Sequence, residues 1–99
     1  MEEIKVAHIN DLKEGMGKVV TANGKPIALF LVDGKCYAID NTCVHRGGPL
    51  GEGFLDKNIV TCPWHGWEYD ITTGQCTIAG AKVHSYKVEV KGEDVFVKV

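Results

Sequence analysis

Several features that mark large classes of protein are missing from this chain. None of its 99 residues belongs to a run that approaches the roughly 18–20 apolar residues of a membrane-spanning helix. The first ten residues, MEEIKVAHIN, lack the basic start and apolar stretch of a signal peptide. The formal net charge of −2 gives no basic excess, so nucleic acid is not an implied partner. We therefore expect one soluble, cytoplasmic domain that binds neither membrane nor nucleic acid.

Helix signals and nucleotide-binding loops are also scarce. The stretch from Asn10 to Gly15 reads as a single capped turn before a glycine, which is too short to organise a fold. No glycine-rich phosphate-binding loop follows a strand, so we expect that the chain cannot take electrons from a nicotinamide cofactor by itself. The fold and the function have to be carried by other patterns.

The first half of the chain predicts a β-meander. Asn23-Gly24 and Asp33-Gly34 each lie between two apolar runs. Both dipeptides favour two-residue hairpin turns, because the two central residues of such a turn take positive φ angles. Pro26 has no N–H to donate, so it belongs at the start or the edge of a strand.

The C-terminal end has the same character. Residues 83–90 alternate in polarity with the period of a strand, and Gly92 marks a turn before a second alternating run. Between the two ends, residues 41–80 hold seven of the twelve glycines, which indicates tightly bent loops that pack closely around a site. We expect an antiparallel all-β fold in one domain over residues 1–99, with a scaffold formed by 1–40 and 81–99 and an inserted functional lobe at 41–80.

Two clusters of metal-binding side chains lie in this lobe. Cys43 is followed by His45, Cys62 is followed by His65, and sixteen residues separate His45 from Cys62. Each cluster is followed by glycine, so the pattern predicts two similar loops that face each other, each with one thiolate and one imidazole. An ordinary core explains such spacing poorly. Structural zinc also accepts two cysteines and two histidines, although its common spacing pairs like with like.

The paired motif resembles the Rieske iron–sulfur family. The resemblance covers most of the chain and includes the segments CVHRGGPL (residues 43–50), CPWHGWEYD (62–70) and Thr73-Gly74. It implies an antiparallel β-sandwich with an inserted cluster-binding lobe, and one [2Fe–2S] cluster per chain. By this resemblance Cys43 and Cys62 bind one iron, and His45 and His65 bind the other. We also expect five further side chains near the cluster, for tuning or docking: Arg46, Pro63, Trp64, Trp67 and Tyr69. The alternatives are a solvated surface charge for Arg46 and core packing for Trp64 and Trp67.

Loop details separate the branches of the family. Respiratory members carry an extra cysteine in each loop, and the matching positions here are Gly48 and Trp64, so the disulfide of that branch is absent. Those members also use a Ser and a Tyr to donate hydrogen bonds to cluster sulfurs; the Ser position is Trp67, and the Tyr is kept as Tyr69. Losing a donor lowers the potential, so we expect a value of roughly −150 to 0 mV.

The resemblance implies an electron carrier and not an enzyme. A chain of this length has no room for the mononuclear-iron domain of a complete oxygenase. The first hypothesis is a ferredoxin that passes electrons from a reductase to an oxygenase or a related redox enzyme. The alternatives are a small subunit of a nitrite-reductase-type enzyme and a structural zinc module.

Two cysteines lie outside the ligand motifs. Cys36 is in an alternating strand pattern, and Cys76 follows the turn at Thr73-Gly74. We interpret both as core thiols. A disulfide between them depends on geometry that the sequence does not give.

Overall fold

The computed structural model describes residues 2–44, 47–64, 66–77 and 80–99. Nine antiparallel strands in two sheets account for most of this part of the chain. The predicted antiparallel all-β fold is thus confirmed. The strands are β1 (Glu3–His8), β2 (Met16–Ala22), β3 (Lys25–Val32), β4 (Lys35–Asp40), β5 (Phe54–Asp56), β6 (Ile59–Thr61), β7 (Glu68–Asp70), β8 (Ser85–Lys91) and β9 (Asp94–Lys98).

The larger sheet has six strands in the order β1-β9-β8-β4-β3-β2. The predicted turns at Asn23-Gly24 and Asp33-Gly34 are present, with φ angles of 52° and 76° in the first and 52° and 75° in the second. They join β2, β3 and β4 into the predicted meander. The predicted C-terminal hairpin is β8–β9, which turns at Gly92.

The helical turn differs from its prediction. It is a 3-10 turn at Ile9–Asp11, one residue earlier than the predicted start at Asn10. His8 caps it, because its side chain accepts a hydrogen bond from the Asn10 amide while the Asp11 carboxylate accepts one from the His8 amide. Leu12 returns to extended backbone, so the turn ends there and not at Gly15.

The smaller sheet has three strands in the order β5-β6-β7, all within residues 54–70. The end of β4 and the β6–β7 hairpin deliver the two cysteine loops. Below these loops lies one of two buried clusters, which contains Cys43 and Cys62 together with Phe30, Leu50 and Tyr69. The second cluster contains Leu29, Val95 and Val97 and is formed by residues of the larger sheet.

The described part of the chain holds no helix that is both long and apolar enough to cross a membrane.

Candidate metal centre

The first cysteine loop follows β4 and turns back on itself within six residues. The Cys43 amide donates to the Gly48 carbonyl at 3.0 Å, and the Gly47 amide donates to the Cys43 carbonyl at 2.8 Å. Gly47 has a φ of 75°, a backbone conformation that glycine adopts without steric cost. The Cys43 side chain is buried, with 2% of its surface exposed.

The second cysteine loop repeats this pattern. The Cys62 amide donates to the Trp67 carbonyl at 2.7 Å, the Gly66 amide donates to the Cys62 carbonyl at 3.1 Å, and Gly66 has a φ of 77°. Cys62 is 3% exposed. The two loops therefore share one hydrogen-bonding scheme, which confirms the prediction of two similar loops.

Two contacts show that the loops face each other. A Cβ atom placed on Gly48 of the first loop would lie 2.5 Å from the Sγ of Cys62 in the second. In the other direction the hydroxyl of Tyr69, which follows the second loop on β7, lies 3.2 Å from the Sγ of Cys43. Each cysteine is thus packed against the loop that carries the other one.

The positions of the respiratory disulfide are neighbours in this fold. A Cβ on Gly48 would lie 3.3 Å from the Cβ of Trp64, close to the roughly 3.5–4.5 Å that a disulfide requires. The assignment of Gly48 and Trp64 to those positions is therefore geometrically consistent. In this chain Gly48 packs against the indole of Trp64. Because Gly48 has no side chain, the first loop can pass close to the Cys62 sulfur.

The Tyr69 hydroxyl and the Cys43 sulfur are hydrogen-bonded at 3.2 Å, and the Tyr69 oxygen also accepts a hydrogen bond from the Val44 amide at 3.2 Å. When Cys43 is a deprotonated metal ligand, its sulfur has no hydrogen to donate, so the Tyr69 hydroxyl is the donor of this pair. Burial, and then the hydrogen bond with Cys43, raise the pKa of the Tyr69 phenol well above its ordinary value. The hydroxyl thus stays protonated and available as a donor at all working pH values.

Replacing Tyr69 with phenylalanine should lower the reduction potential of a cluster bound at Cys43. A donor to a ligand sulfur stabilises the more negative, reduced state. If the hydrogen bond is about 1 kcal/mol stronger in that state, its loss lowers a one-electron potential by roughly 40 mV. Protein-film voltammetry measures the shift, and Tyr37→Phe is the control, since Tyr37 is partly buried against the same core cluster. A Tyr69→Phe potential equal to that of the wild type contradicts this role.

The predicted site residues fall into three groups. Cys43, Cys62 and Tyr69 are brought together in one buried cluster. Trp67 is half-buried and packs against that cluster, whereas Trp64 is 57% exposed and Pro63 is exposed. The remaining predicted residues, His45, Arg46 and His65, lie outside the described residues.

The other two cysteines are separated by the fold. Cys76 is 3% exposed and lies in the same buried cluster as Cys43 and Cys62, while Cys36 is half-buried against the second cluster. Burial raises the pKa of the Cys36 thiol. All four cysteines are described, and none of them forms a disulfide. The interpretation of Cys36 and Cys76 as packing residues fits these positions.

The donor set fits an iron–sulfur cluster only if the predicted histidines complete it. Among the described residues, no three His, Cys, Asp or Glu side chains are grouped closely enough to hold a metal. The described part of the site provides two buried thiols, one phenol donor and a glycine that leaves space beside Cys62. Two sulfur donors and two imidazoles would suit zinc as well as a cluster, so the donor types alone leave both open.

Sequence reasoning missed one residue at the base of the first loop. Asn41 is 8% exposed, and it is the one polar or charged residue found buried in the described part of the chain. Its carbonyl accepts a hydrogen bond from the Leu50 amide at 2.7 Å, and its side-chain Oδ1 accepts one from the Gly51 amide at 2.8 Å. In the sequence Asn41 is one of three polar residues between Ile39 and Cys43, with Asp40 and Thr42, so the pattern did not single it out.

Comparisons with known proteins separate the two metal hypotheses. Residues 2–96 match the Rieske [2Fe-2S] domain family. The chain is 36% identical over 98 residues to the ferredoxin component of the naphthalene 1,2-dioxygenase/salicylate 5-hydroxylase systems of a Ralstonia species, covering 97% of this chain and 94% of that protein.

Solved structures agree with the sequence match. The ferredoxin of carbazole 1,9a-dioxygenase from Nocardioides aromaticivorans IC177 superposes with a TM-score of 0.92 at 27% identity, covering 98% of this chain and 97% of that one. A chain from the complex of reduced oxygenase and oxidized ferredoxin in carbazole 1,9a-dioxygenase gives a TM-score of 0.87 at 32% identity, covering 96% of this chain and 91% of that one.

Proposed function

This chain belongs to the Rieske [2Fe-2S] domain family, and we propose that it is the ferredoxin component of an oxygenase system, which carries single electrons from a reductase to a terminal oxygenase. The observation that carries the proposal is the pair of buried cysteines in facing loops with one hydrogen-bonding scheme. Its near-full-length relatives are ferredoxin components, electron carriers and not catalysts. We treat residues 1–99 as one Rieske domain, with the cluster lobe at 41–80.

Cys43, His45, Cys62 and His65 are the four ligands in this proposal. A bound Rieske [2Fe-2S] cluster supplies reversible one-electron chemistry. The two cysteines provide deprotonated sulfur from a buried position, and the two histidines provide neutral imidazole. Support comes from the burial of both thiols, from the close approach of Gly48 to Cys62, and from the family match.

Other side chains of the protein then determine the hydrogen bonding and the water access around the two cysteine sulfurs. Tyr69 holds its proton at the hydroxyl directed to Cys43 Sγ. Leu50, Val60 and Ile71 exclude water from the cysteine side of the site, because each is buried in the cluster that contains both thiols. A dry, apolar setting with a fixed donor reduces the reorganisation that each electron transfer requires.

Val44 and Trp64 give the site an exposed apolar rim. Val44 directly follows Cys43 and is 49% exposed, and Trp64 follows Cys62 by two residues and is 57% exposed. We propose that this rim meets the redox partner, since apolar and aromatic side chains are enriched where proteins bind each other. The solved complex of oxygenase and ferredoxin in carbazole 1,9a-dioxygenase supports docking to an oxygenase.

We also propose a cytoplasmic location. The ligand thiols have to be available in reduced form before a metal centre is assembled, which a reducing compartment provides. All four cysteines are free of disulfides in the structure. Cell fractionation with an antibody to this chain tests the location.

The test of function begins with the chain purified without oxygen. We expect a red-brown protein with two irons and two acid-labile sulfides per chain, and a reduction potential of roughly −150 to 0 mV. When it is mixed with a reductase and a terminal oxygenase from the same organism, substrate oxidation should depend on its presence. The reductase and oxygenase without this chain are the control.

Three results would contradict parts of this proposal. A colourless protein with one zinc per chain excludes the cluster. A potential above about +200 mV excludes the low-potential branch. Purification only as a fixed subunit of a nitrite-reducing enzyme excludes the free ferredoxin.

A further inference from the structure

The two ligand loops share a turn but differ at their bases. The second loop stands on a regular hairpin in which β6 pairs with β7. Thr61 lies opposite Glu68, Val60 opposite Tyr69, and Ile59 opposite Asp70. Three successive residue pairs therefore fix the direction in which the second loop leaves the sheet.

The first loop has no such hairpin. Within the described residues, its base has one strand-type pairing, the isolated bridge of Thr42 with Pro49. Proline has no amide hydrogen, so this bridge lacks one of the possible backbone hydrogen bonds. The chain then leaves the extended conformation at once, because Leu50–Glu52 forms a 3-10 turn.

Asn41 stands where the next pair of a hairpin would be. By position relative to the cysteine it corresponds to Val60 of the second loop, and Leu50 corresponds to Tyr69. Its carbonyl accepts from the Leu50 amide at 2.7 Å, as a strand would. Its side-chain Oδ1 accepts a hydrogen bond from the Gly51 amide at 2.8 Å. Gly51 is the residue after Leu50, so the side chain extends the pairing by one residue beyond the last backbone hydrogen bond.

We propose that Asn41 is a positioning residue for the metal centre, whose side-chain oxygen holds the base of the first ligand loop closed in place of a second strand pair. Cys43 lies two residues after Asn41, and Gly48 lies three residues before Gly51, the residue that the Asn41 side chain binds. The side-chain hydrogen bond therefore fixes both arms of the loop. Through Gly48 it fixes the distance to Cys62, because that glycine passes against the Cys62 sulfur.

Losing the hydrogen bond from Gly51 to Asn41 Oδ1 would destabilise the protein mainly at the Gly51 amide. Gly51 is buried, so its N–H would have no acceptor and no water in place of Asn41 Oδ1. A buried donor without a partner is costly, and the Gly51 amide regains a partner only if the 3-10 turn shifts relative to the first loop. Such a movement opens the first loop and changes the relative position of the two ligand cysteines.

Three variants of the cluster-loaded protein test the proposal. Asn41→Leu keeps the side-chain volume and removes the acceptor, and Asn41→Asp keeps both the volume and an acceptor oxygen. Val97→Ala is the matched control for lost stability, because Val97 is fully buried in the other core cluster. Each variant is measured for its thermal midpoint, for the EPR spectrum of its reduced form, for its reduction potential, and for the rate at which a chelator bleaches its visible absorption.

We expect Asn41→Leu to bleach roughly tenfold faster than the wild type, with a broadened EPR spectrum and a shifted potential. Asn41→Asp should restore the narrow spectrum, and Val97→Ala should lower the thermal midpoint without altering the spectrum. An Asn41→Leu spectrum identical to that of the wild type, or the same spectral change in Val97→Ala, overturns the proposal. Asn41→Ser, whose hydroxyl is too short to reach the Gly51 amide, provides the same test if Asn41→Leu does not fold.

The inference rests on the proposed function only in requiring that the wild-type chain bind the cluster. A wild-type protein without iron refutes the proposed function. A loaded wild type whose spectrum is insensitive to Asn41 refutes only the positioning role. No partner protein enters the measurement, so an error about the partner leaves the result readable.

Discussion

Replacing Cys62 with alanine should abolish the iron–sulfur chromophore, whereas replacing Cys76 with alanine should leave it in place. Cys62 is a proposed ligand, and without its thiolate one iron loses half of its protein ligands. Cys76 is buried in the same core cluster but follows the turn at Thr73-Gly74, outside both cysteine loops. Iron and acid-labile sulfide per chain, together with visible absorption, measure the difference: close to zero in one variant and close to two of each in the other.

The two cysteines form a matched pair for this test. Each is 3% exposed, so each alanine leaves a sulfur-sized cavity in the same core at a similar cost. Any difference in cluster content therefore reports ligation and not burial. Full iron content in Cys62→Ala excludes Cys62 as a ligand, and equal loss in both variants indicates a general packing effect.

The scaffold could be predicted because its signals are local. Asn23-Gly24 and Asp33-Gly34 require positive φ angles at adjacent positions, and few structures other than a tight hairpin provide them. The strands on either side are six to eight residues long, enough for the apolar runs that flank each turn to be recognised. Local backbone preference and the final fold agree here, and the meander follows.

The smaller sheet and the pairing of β1 were not predicted, for a related reason. β5, β6 and β7 have three residues each, which is too short for a periodic pattern to be distinguished from loop sequence. β1 is longer, but only one of its residues, Ala7, is buried. Its position depends on pairing with β9 at the far end of the chain, and a local pattern carries no information about that partner.

The sequence predicted which residues form the site, but not the contacts between its two loops. Two cysteines in motifs followed by glycine indicate two loops, and the structure confirms their common hydrogen-bonding scheme. Tyr69 was expected near the centre, but its pairing with the cysteine of the opposite loop appears only in three dimensions. The role of Asn41 depends on a strand pair that is missing, and a missing partner leaves no mark in the sequence.

Replacing Gly48 with alanine should damage the metal centre without removing a ligand. The added Cβ would lie 2.5 Å from Cys62 Sγ and 3.1 Å from the Cγ of Trp64, so either the loops separate or the sulfur moves. Separation by about an ångström is enough to misplace one ligand, because metal–ligand distances are fixed to within about 0.2 Å. We expect substoichiometric iron, at about half the wild-type content or less, and rapid loss of the remaining cluster in air.

Gly80→Ala is the matched control for this change. Gly80 lies in the same lobe, its φ is outside the positive range, and no atom of the described residues comes within 4 Å of an added Cβ. The same methyl group should therefore leave iron content and the EPR spectrum as in the wild type. If Gly48→Ala binds two irons with an unchanged spectrum, the loops have more freedom than the packing of Gly48 against Cys62 indicates. The close approach of the two loops would then be a feature of packing and not a requirement of the centre.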